Sequence, residues 1–457
     1  MQKCLPKVLT GTVALILSAV AVSAQTAQPT VLSAATGQTA SSSPQNPDQP
    51  LVLTLQDALQ RAKANSPQFQ SALTDQGLAH EDKVQARALL LPSVNYNMQY
   101  LYTQGNGIPG GPGRFIANNG VHEYLAQGNA HQVLSVVDFA DFRRTQALEA
   151  VAKARAQIAA RGLVVTVVQT YYAMVVAQRK YGTAQQAASE GQRFFTISRQ
   201  LEQGGEVAHS DVVKAEIQYQ QVQRDLQEAQ LAMQRTRLEL SVLLFPNFTE
   251  NFSVVDDLRL PDPLLPFAEV EALAGRKNPD LQAAIYSLRA ANSEVTAARA
   301  GYLPALTFDY FYGIDAPQFA VRDFEGRRNL GYAATASLTL PIWNWGSTQS
   351  KVKQADLRRR LARVELSAAQ RTLLANLRTF YSEAQIARAE LESLARSAEL
   401  AAESLRLTTL RYQGGEATVL EVVDAQNTLT VARNAYDDGQ ARFRLALANL
   451  QTLTGTF

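Results

Sequence analysis

One phrase occurs twice in this chain. Residues 203–216 read QGGEVAHSDVVKAE and residues 413–426 read QGGEATVLEVVDAQ, so Gln-Gly-Gly-Glu returns roughly 210 residues later with Val-Val-x-Ala behind it. A long helical pattern leads into each copy and another leads out. Paired glycines permit the backbone angles that stop a helix, and Ser210 or Thr418 is then placed to cap the next one, so each copy reads as the tip of an αα-hairpin. Other echoes keep nearly the same spacing: Ser66-Pro67 with Asn278-Pro279, Leu91-Pro92 with Leu303-Pro304, Val137-Asp138-Phe139 with Trp343-Asn344-Trp345, and Thr170-Tyr171-Tyr172 with Thr379-Phe380-Tyr381. The expected organisation is two tandem repeats, 54–245 and 267–453, joined by a Pro-rich connector at 246–266.

Within each repeat the pattern runs in one order. A helix (66–89; 279–300) stops short of Pro92 or Pro304. Period-two alternation follows, with Val94, Tyr96, Met98, Tyr100 and Tyr102 against Ser93, Asn95, Asn97 and Gln99, and later Leu306, Phe308, Tyr310 and Tyr312 against Thr307 and Asp309. Beyond loops rich in Gly, Asn and Pro (103–130; 313–330), a second strand is expected at 131–139, weakly patterned, and at 331–342, where Ala334, Ala336, Leu338, Leu340 and Ile342 share a side. Long helices at 142–202 and 347–411 contain no proline and carry apolar residues at spacings of three and four, as in Leu357, Leu361, Val364 and Ala368. At 1.5 Å per residue such rods run about 90 Å, three times the apolar thickness of a bilayer, and no segment past the amino-terminal apolar run reads as a membrane-spanning helix.

At the amino end, Lys3 and Lys7 precede an apolar stretch from Val8 to Val22 that closes on Val22-Ser23-Ala24, the layout of a signal peptide spanning 1–24. Residues 25–53 read as a flexible leader poor in apolar groups. Cys4, the single cysteine, leaves with the signal, so neither a disulfide nor a thiolate nucleophile is expected. The formal charge of +2 includes Lys3 and Lys7, and their removal brings it to zero, which argues against a nucleic-acid partner. His80, His122, His131 and His209 are widely spaced with no carboxylate or cysteine arrangement around them, Met98, Met174 and Met233 are scattered, and no GxxxxGK stretch occurs. No enzyme, no cofactor and no metal site is expected; any energy must come from a partner.

Two strand pairs raise a question of edges. A four-stranded sheet cannot close on itself, and in lipid its unpaired edge groups would each cost several kcal/mol. Two readings fit the alternation. In one, several chains complete a membrane barrel, with Tyr100, Tyr102, Tyr310, Trp343 and Trp345 as interfacial aromatics. In the other, a water-soluble sheet packs on the helices.

The residues at this point carry a resemblance. Arg411-Tyr412-Gln413-Gly414-Gly415-Glu416 followed by Leu420-Glu421-Val422-Val423-Asp424-Ala425-Gln426, the Leu-Pro before the first strand of each repeat, and Leu340-Pro341-Ile342-Trp343-Asn344-Trp345-Gly346 make residues 54–453 similar to the outer-membrane efflux protein family. The resemblance implies a mixed α and transmembrane β fold: a homotrimer sharing one 12-stranded β-barrel, four strands per chain, continued by a periplasmic α-helical barrel of coiled-coil hairpins. It also implies a location in the bacterial outer membrane, in contact with its lipid, and a passive duct fed by an inner-membrane pump through a periplasmic adaptor protein. A periplasmic adaptor, or a structural coiled-coil protein without a pore, is the alternative. An adaptor would normally show one hairpin flanked by a small β domain.

Glu421 and Asp424 lie three apart on one helical face. Acids there also suit the first turns of any helix; the resemblance implies instead that they line a narrow periplasmic entrance, with Asp211 as the first-repeat counterpart of Glu421. Crowded around a symmetry axis, some of these carboxyls are expected to titrate above their ordinary values. Lys214 stands where the second repeat has Asp424, either as partner to an acid on a neighbouring hairpin or as a surface lysine. The family's best-known member latches its entrance with an arginine just before the Thr418 position and a tyrosine that Tyr412 matches. Ala417 stands in the arginine's place, so Tyr412, Arg411, Lys214 and Glu416 are the candidate gate contacts. Gly204, Gly205, Ala208, Gly414, Gly415 and Ala417 are the candidate adaptor-docking tips. Substrate, and the choice between drug efflux and protein secretion, are not readable from these residues.

Overall fold

The computed structural model describes residues 51–102, 122–247, 250–258 and 264–456. The expected signal peptide at 1–24, nearly all of the leader, most of the first Gly-rich loop and parts of the connector lie outside the described residues. The chain runs β1 (Leu51–Leu53), α1 (Leu55–Asn65), α2 (Pro67–Ala88), β2 (Ser93–Tyr102), β3 (His122–Leu134), α3 (Val136–Gln203) and α4 (His209–Leu244). It continues through β4 (Phe252–Val254), α5 (Phe267–Lys277), α6 (Pro279–Ala300), β5 (Ala305–Ala316), β6 (Leu330–Thr339), α7 (Ser347–Gln413) and α8 (Val419–Thr454).

Local chemistry explains the helix starts. Ser66 and Asn278 cap α2 and α6, accepting from the backbone N–H of Phe69 and Leu281, and Pro67 and Pro279 follow at the first helical position, where a missing N–H costs nothing. The two long helices, α3 with 68 residues and α7 with 67, each extend about 100 Å. In the amino-terminal half the strand and helix boundary differs from expectation. β3 covers 122–134 rather than 131–139, and Val137, Asp138 and Phe139 form the first turn of α3, because Ser135 caps that helix by accepting from Val137 N–H at 3.0 Å. Their sequence echoes, Trp343 to Trp345, stay outside α7, which starts only after Gly346 at φ +79°. β6 likewise ends at Thr339, so Leu340 and Ile342 lie past the strand.

The four long strands form one antiparallel sheet in the order β2-β3-β5-β6. Register decides its faces. Tyr96 opposes Gly128, which opposes Tyr312, which opposes Tyr332; Met98, Ala126 and Ile314 line up beside them. Directly opposed residues share a face, so the apolar sets of all four strands fall on one side, and Asn95, Asn97, Gln99, Asn129, His131, Asp309, Thr335 and Ser337 fall on the other. Gly313 is required by crowding: a Cβ there would meet the carbonyl oxygen of Ala126 at 2.1 Å. The apolar face is not packed on the helices. Val94, Tyr96, Met98, Tyr312 and Tyr332 are all exposed, and among the described residues both outer strands, β2 and β6, have an open edge.

A second, smaller sheet pairs β1 with β4 in parallel, so the end of the expected leader and the middle of the expected connector meet. Tyr171 Oη donates to the carbonyls of Leu53 (3.2 Å) and Val255 (2.8 Å), holding this sheet to the middle of α3. The largest core cluster surrounds it, with Val164, Val167, Val168, Met174 and Val175 of α3 against Leu240 and Leu244 of α4 and Phe252. α3 therefore corrects one expectation: by length and composition it does contain a stretch apolar enough to cross a membrane. Only 39% of that stretch is buried, so this core takes up part of it. Beside it Arg179 binds Asp256 at 2.6 Å and Asp437 at 2.9 Å, tying α3 to the connector and to α8; burial pushes the Asp437 carboxyl up, against the opposing pull of Arg179.

α3 packs on α2, α4, α6 and α8, and α7 packs on α6 and α8, so the helices form a layer whose outer members are α2 and α4 on one side and α7 on the other. Those outer members keep apolar residues exposed: Leu78 and Val84 on α2, Ile217 and Val242 on α4, and Leu357, Leu361 and Val364 on α7.

Candidate functional site

Both Gly-Gly tips are built the same way where the helices stop. Glu206 N–H bonds Leu201 C=O at 2.9 Å and Gly205 N–H bonds Glu202 C=O; in the second tip Glu416 N–H bonds Arg411 C=O at 2.8 Å and Gly415 N–H bonds Tyr412 C=O. This is the Schellman pattern, and it places Gly205 at φ +78° and Gly415 at φ +75°, where only glycine is unstrained. Gly204 and Gly414 keep ordinary negative φ.

The tips differ where the next helix starts. Thr418 Oγ1 accepts from Glu421 N–H, and Glu421 Oε1 accepts from the Thr418 N–H and hydroxyl, both at 3.1 Å, closing a capping box. The first tip has no such device: the N-cap of α4 is Ala208, and Ser210, expected as the cap, is already inside the first turn. Position 208 aligns with 418, and alanine has no oxygen to offer.

Glu421 and Asp424 are both exposed. Glu421 Oε2 also lies 3.5 Å from Arg411 Nη1. The bonds from Thr418, first from its backbone and then from its hydroxyl, hold the Glu421 carboxyl below its ordinary value, with Arg411 adding to this. Within one chain this is opposite in direction to the rise expected from crowding. Asp211 accepts an ion pair from Lys214 of its own helix at 3.2 Å, so Lys214 is engaged one turn from where it starts. Arg411 Nη2 donates to Glu416 C=O at 3.0 Å and thereby spans the turn. Tyr412 is 3% exposed. Its hydroxyl meets Ser198 Oγ at 3.1 Å and its ring lies 5.1 Å from Phe194, so it fastens α7 to α3 inside the tip core formed with Ala215, Leu405, Val419 and Val422. Ala417 is packed against that core, whereas Ala208 is exposed.

Ser198, Phe194 and the Gln218–Asn427 bond at 3.1 Å were not singled out from the sequence. Phe194 and Ser198 are four apart on an otherwise small-residue face, which is the available signal. The histidines also gain partners that their spacing did not reveal: His80 with Glu149 (2.6 Å), His131 with Asp309 (2.7 Å) across the β3–β5 pairing, and His209 with Glu202 (2.7 Å). At the far ends, Tyr100, Tyr102 and Tyr310 lie on the exposed apolar face, and Trp343 and Trp345 pack edge to face at 5.7 Å, both exposed, with Trp345 at φ +55°.

The family model for outer membrane efflux proteins matches residues 58–244 and 271–456. The chain belongs to the outer membrane efflux protein family. Outer membrane protein TolC of Vibrio cholerae is 25% identical over 415 residues, spanning 88% of this chain and 90% of that protein. Among solved structures of similar fold are a membrane protein from Pseudomonas aeruginosa (TM-score 0.77, 20% identity, 88% of this chain and 90% of that one) and the Campylobacter jejuni outer membrane channel CmeC (TM-score 0.76, 17% identity, 88% and 85%). The two matched segments take in the long helices and the four long strands alike.

Proposed function

We propose that this outer-membrane efflux family member works as a homotrimeric channel-tunnel. Each copy gives four strands to one 12-stranded barrel in the outer membrane and its long hairpins to a tunnel in the periplasm. One observation carries the reading: the register gathers a continuous apolar face that no helix covers, on a sheet with two open edges. In lipid each unpaired edge N–H or C=O would cost several kcal/mol, so β6 of one copy pairing with β2 of the next relieves both edges at once. The helical layer supports the same closure, because its outer members α2, α4 and α7 keep apolar residues exposed.

Substrates enter from an inner-membrane pump through a periplasmic adaptor that meets the tips around Gly204, Gly205, Ala208, Gly414, Gly415 and Ala417. Glu421 and Asp424, with Asp211, line the entrance as an acidic constriction, and the Tyr412–Ser198 contact together with Arg411, Lys214 and Glu416 holds the hairpins closed. With Ala417 at the latch position, the Arg411 bonds to Glu416 C=O and Glu421 take over part of that task.

The test is a heat-modified gel of detergent-extracted protein followed by single-channel recording under a salt gradient. A heat-sensitive trimer that conducts, prefers cations, and loses that preference in Glu421→Gln/Asp424→Asn is expected. A stable lipid-free monomer with intact sheet content would overturn the assembly. An unchanged reversal potential in the double variant would remove the two acids from the pore.

A further inference from the structure

β5 leaves α6 at Ala305 and β6 returns to α7, so the hairpin between them, residues 317–329, lies at the end of the sheet farthest from the helices. Its tip is firmly built. Asp323 Oδ1 accepts from the N–H groups of Glu325 (2.9 Å) and Arg327 (2.7 Å), Gly326 turns at φ +81°, and Asn329 Nδ2 donates to Ala320 C=O at 3.0 Å. Below the turn, Asp323 N–H bonds Arg327 C=O and Asn329 N–H bonds Val321 C=O, both at 2.9 Å, which leaves Arg322 opposite Arg328 as an isolated antiparallel bridge. The flanking bonds make this a non-hydrogen-bonded pair, the kind whose Cα atoms approach to about 4.5 Å and whose side chains are closest.

Two like charges facing each other across a bridge are unfavourable. The hairpin's own acids do not relieve them: Asp323 is committed to the turn and Glu325 pairs with Arg327 at 2.5 Å. Neither Arg322 nor Arg328 has a carboxylate partner among the described residues. The same hairpin holds apolar side chains in the open. Phe324 at the tip is 95% exposed, and Phe319 and Val321 are exposed as well. Phe319 in turn stands 6.2 Å from Tyr124, which stands 4.9 Å from Tyr100, so the hairpin continues the aromatic row that ends the apolar face. Aromatics followed by cations is the order in which a membrane's apolar core gives way to its phosphates.

We propose that this hairpin is a lipid-binding anchor: Arg322 and Arg328 together hold a phosphate-bearing headgroup of the outer leaflet, while Phe319 and Phe324 rest in its apolar boundary. An oxyanion between the two guanidiniums converts their repulsion into two charge-assisted contacts. The proposal rests on the outer-membrane barrel reading, which determines that this end faces the outer leaflet.

The experiment uses the full chain purified as its heat-modifiable trimer, titrated with fluorescent lipid A or with phosphatidylcholine in matched detergent micelles. Trimer content and single-channel current are recorded on the same preparations. Preferential binding of lipid A is expected, weakened about tenfold or more in Arg322→Ser/Arg328→Ser, retained in part in Arg322→Lys/Arg328→Lys, and reduced in Phe324→Ser, with current unchanged throughout. Conducting trimers whose lipid A affinity is the same with and without the arginines would overturn the anchor. Inorganic phosphate competing as well as lipid A at equal phosphate concentration would overturn the lipid assignment in favour of a free-anion site. A wild-type preparation with neither trimer nor current fails the channel reading itself, a result distinct from both.

Discussion

Thr418 and Ala208 occupy one place in two copies of a turn, yet only threonine brings an oxygen to the next helix. Thr418→Ala should therefore lose about 1 kcal/mol at the start of α8, and Ala208→Asp should add a similar amount at the start of α4. Hydrogen exchange of the first-turn amides reads both, and equal protection in wild type and Ala208→Asp would show that α4 does not need the cap. Glu421 adds a pH dependence. Its carboxyl titrates below the ordinary 4.5 because Thr418 and Arg411 favour the anion. These bonds contribute fully above the unfolded-state value and are lost as pH falls through the lower folded-state value, so tip protection should drop on acidification below the ordinary carboxylate range. In Glu421→Gln, whose amide oxygen keeps the cap without the charge, the same acidification should have a smaller effect. A profile identical to wild type would place the titration elsewhere.

Where α7 reaches the tip, Tyr412 is the side chain through which one hairpin grips the other. Removing only its hydroxyl in Tyr412→Phe leaves the fully buried Ser198 Oγ without that partner, at a cost of about 1–3 kcal/mol. The packing of the ring on Phe194 remains, so the expected result is a looser tip rather than an unfolded chain: faster amide exchange near 194–201 and 408–415 and more frequent large-conductance openings. Wild-type gating and exchange would show that the contact does not restrain the hairpins. The middle of α3 behaves differently. Tyr171, Val167 and Val175 are locked in the largest core by the β1–β4 sheet and α4, so any opening should pivot there and grow toward the tips.

The assembly as a whole depends on which side of the sheet meets lipid. Met98 and Gln99 are neighbours in the chain and point to opposite faces. Met98→Arg puts a charge on the apolar face and should cost about 2–4 kcal/mol near mid-membrane, lowering the yield of heat-modifiable trimer, whereas Gln99→Arg should assemble normally and alter ion selectivity. Equal trimer yields from the two variants would mean that the apolar face is covered by something other than lipid.

Periodicity is local, so the long proline-free helices, the alternating strands, the Gly-Gly turns and the Pro-marked starts of α2 and α6 were all legible in the residues themselves. Resemblance in the Arg411–Gln426 and Leu340–Gly346 stretches pointed to the family, and the exposed acids Glu421 and Asp424 were named from it. Other features depend on partners distant in the chain. Residues 122–130 have no clean alternation of their own and are strand because β2 and β5 hydrogen-bond them on both sides. Leu51–Leu53 and Phe252–Val254 are too short to declare themselves and exist as strands through each other and Tyr171. Tyr412 reads as a surface gate contact until Ser198 and Phe194, more than two hundred residues earlier, close over it. Alternation could say that β2, β5 and β6 each have an apolar side; only the register across four strands, with β3 held between β2 and β5, could bring those sides onto one face.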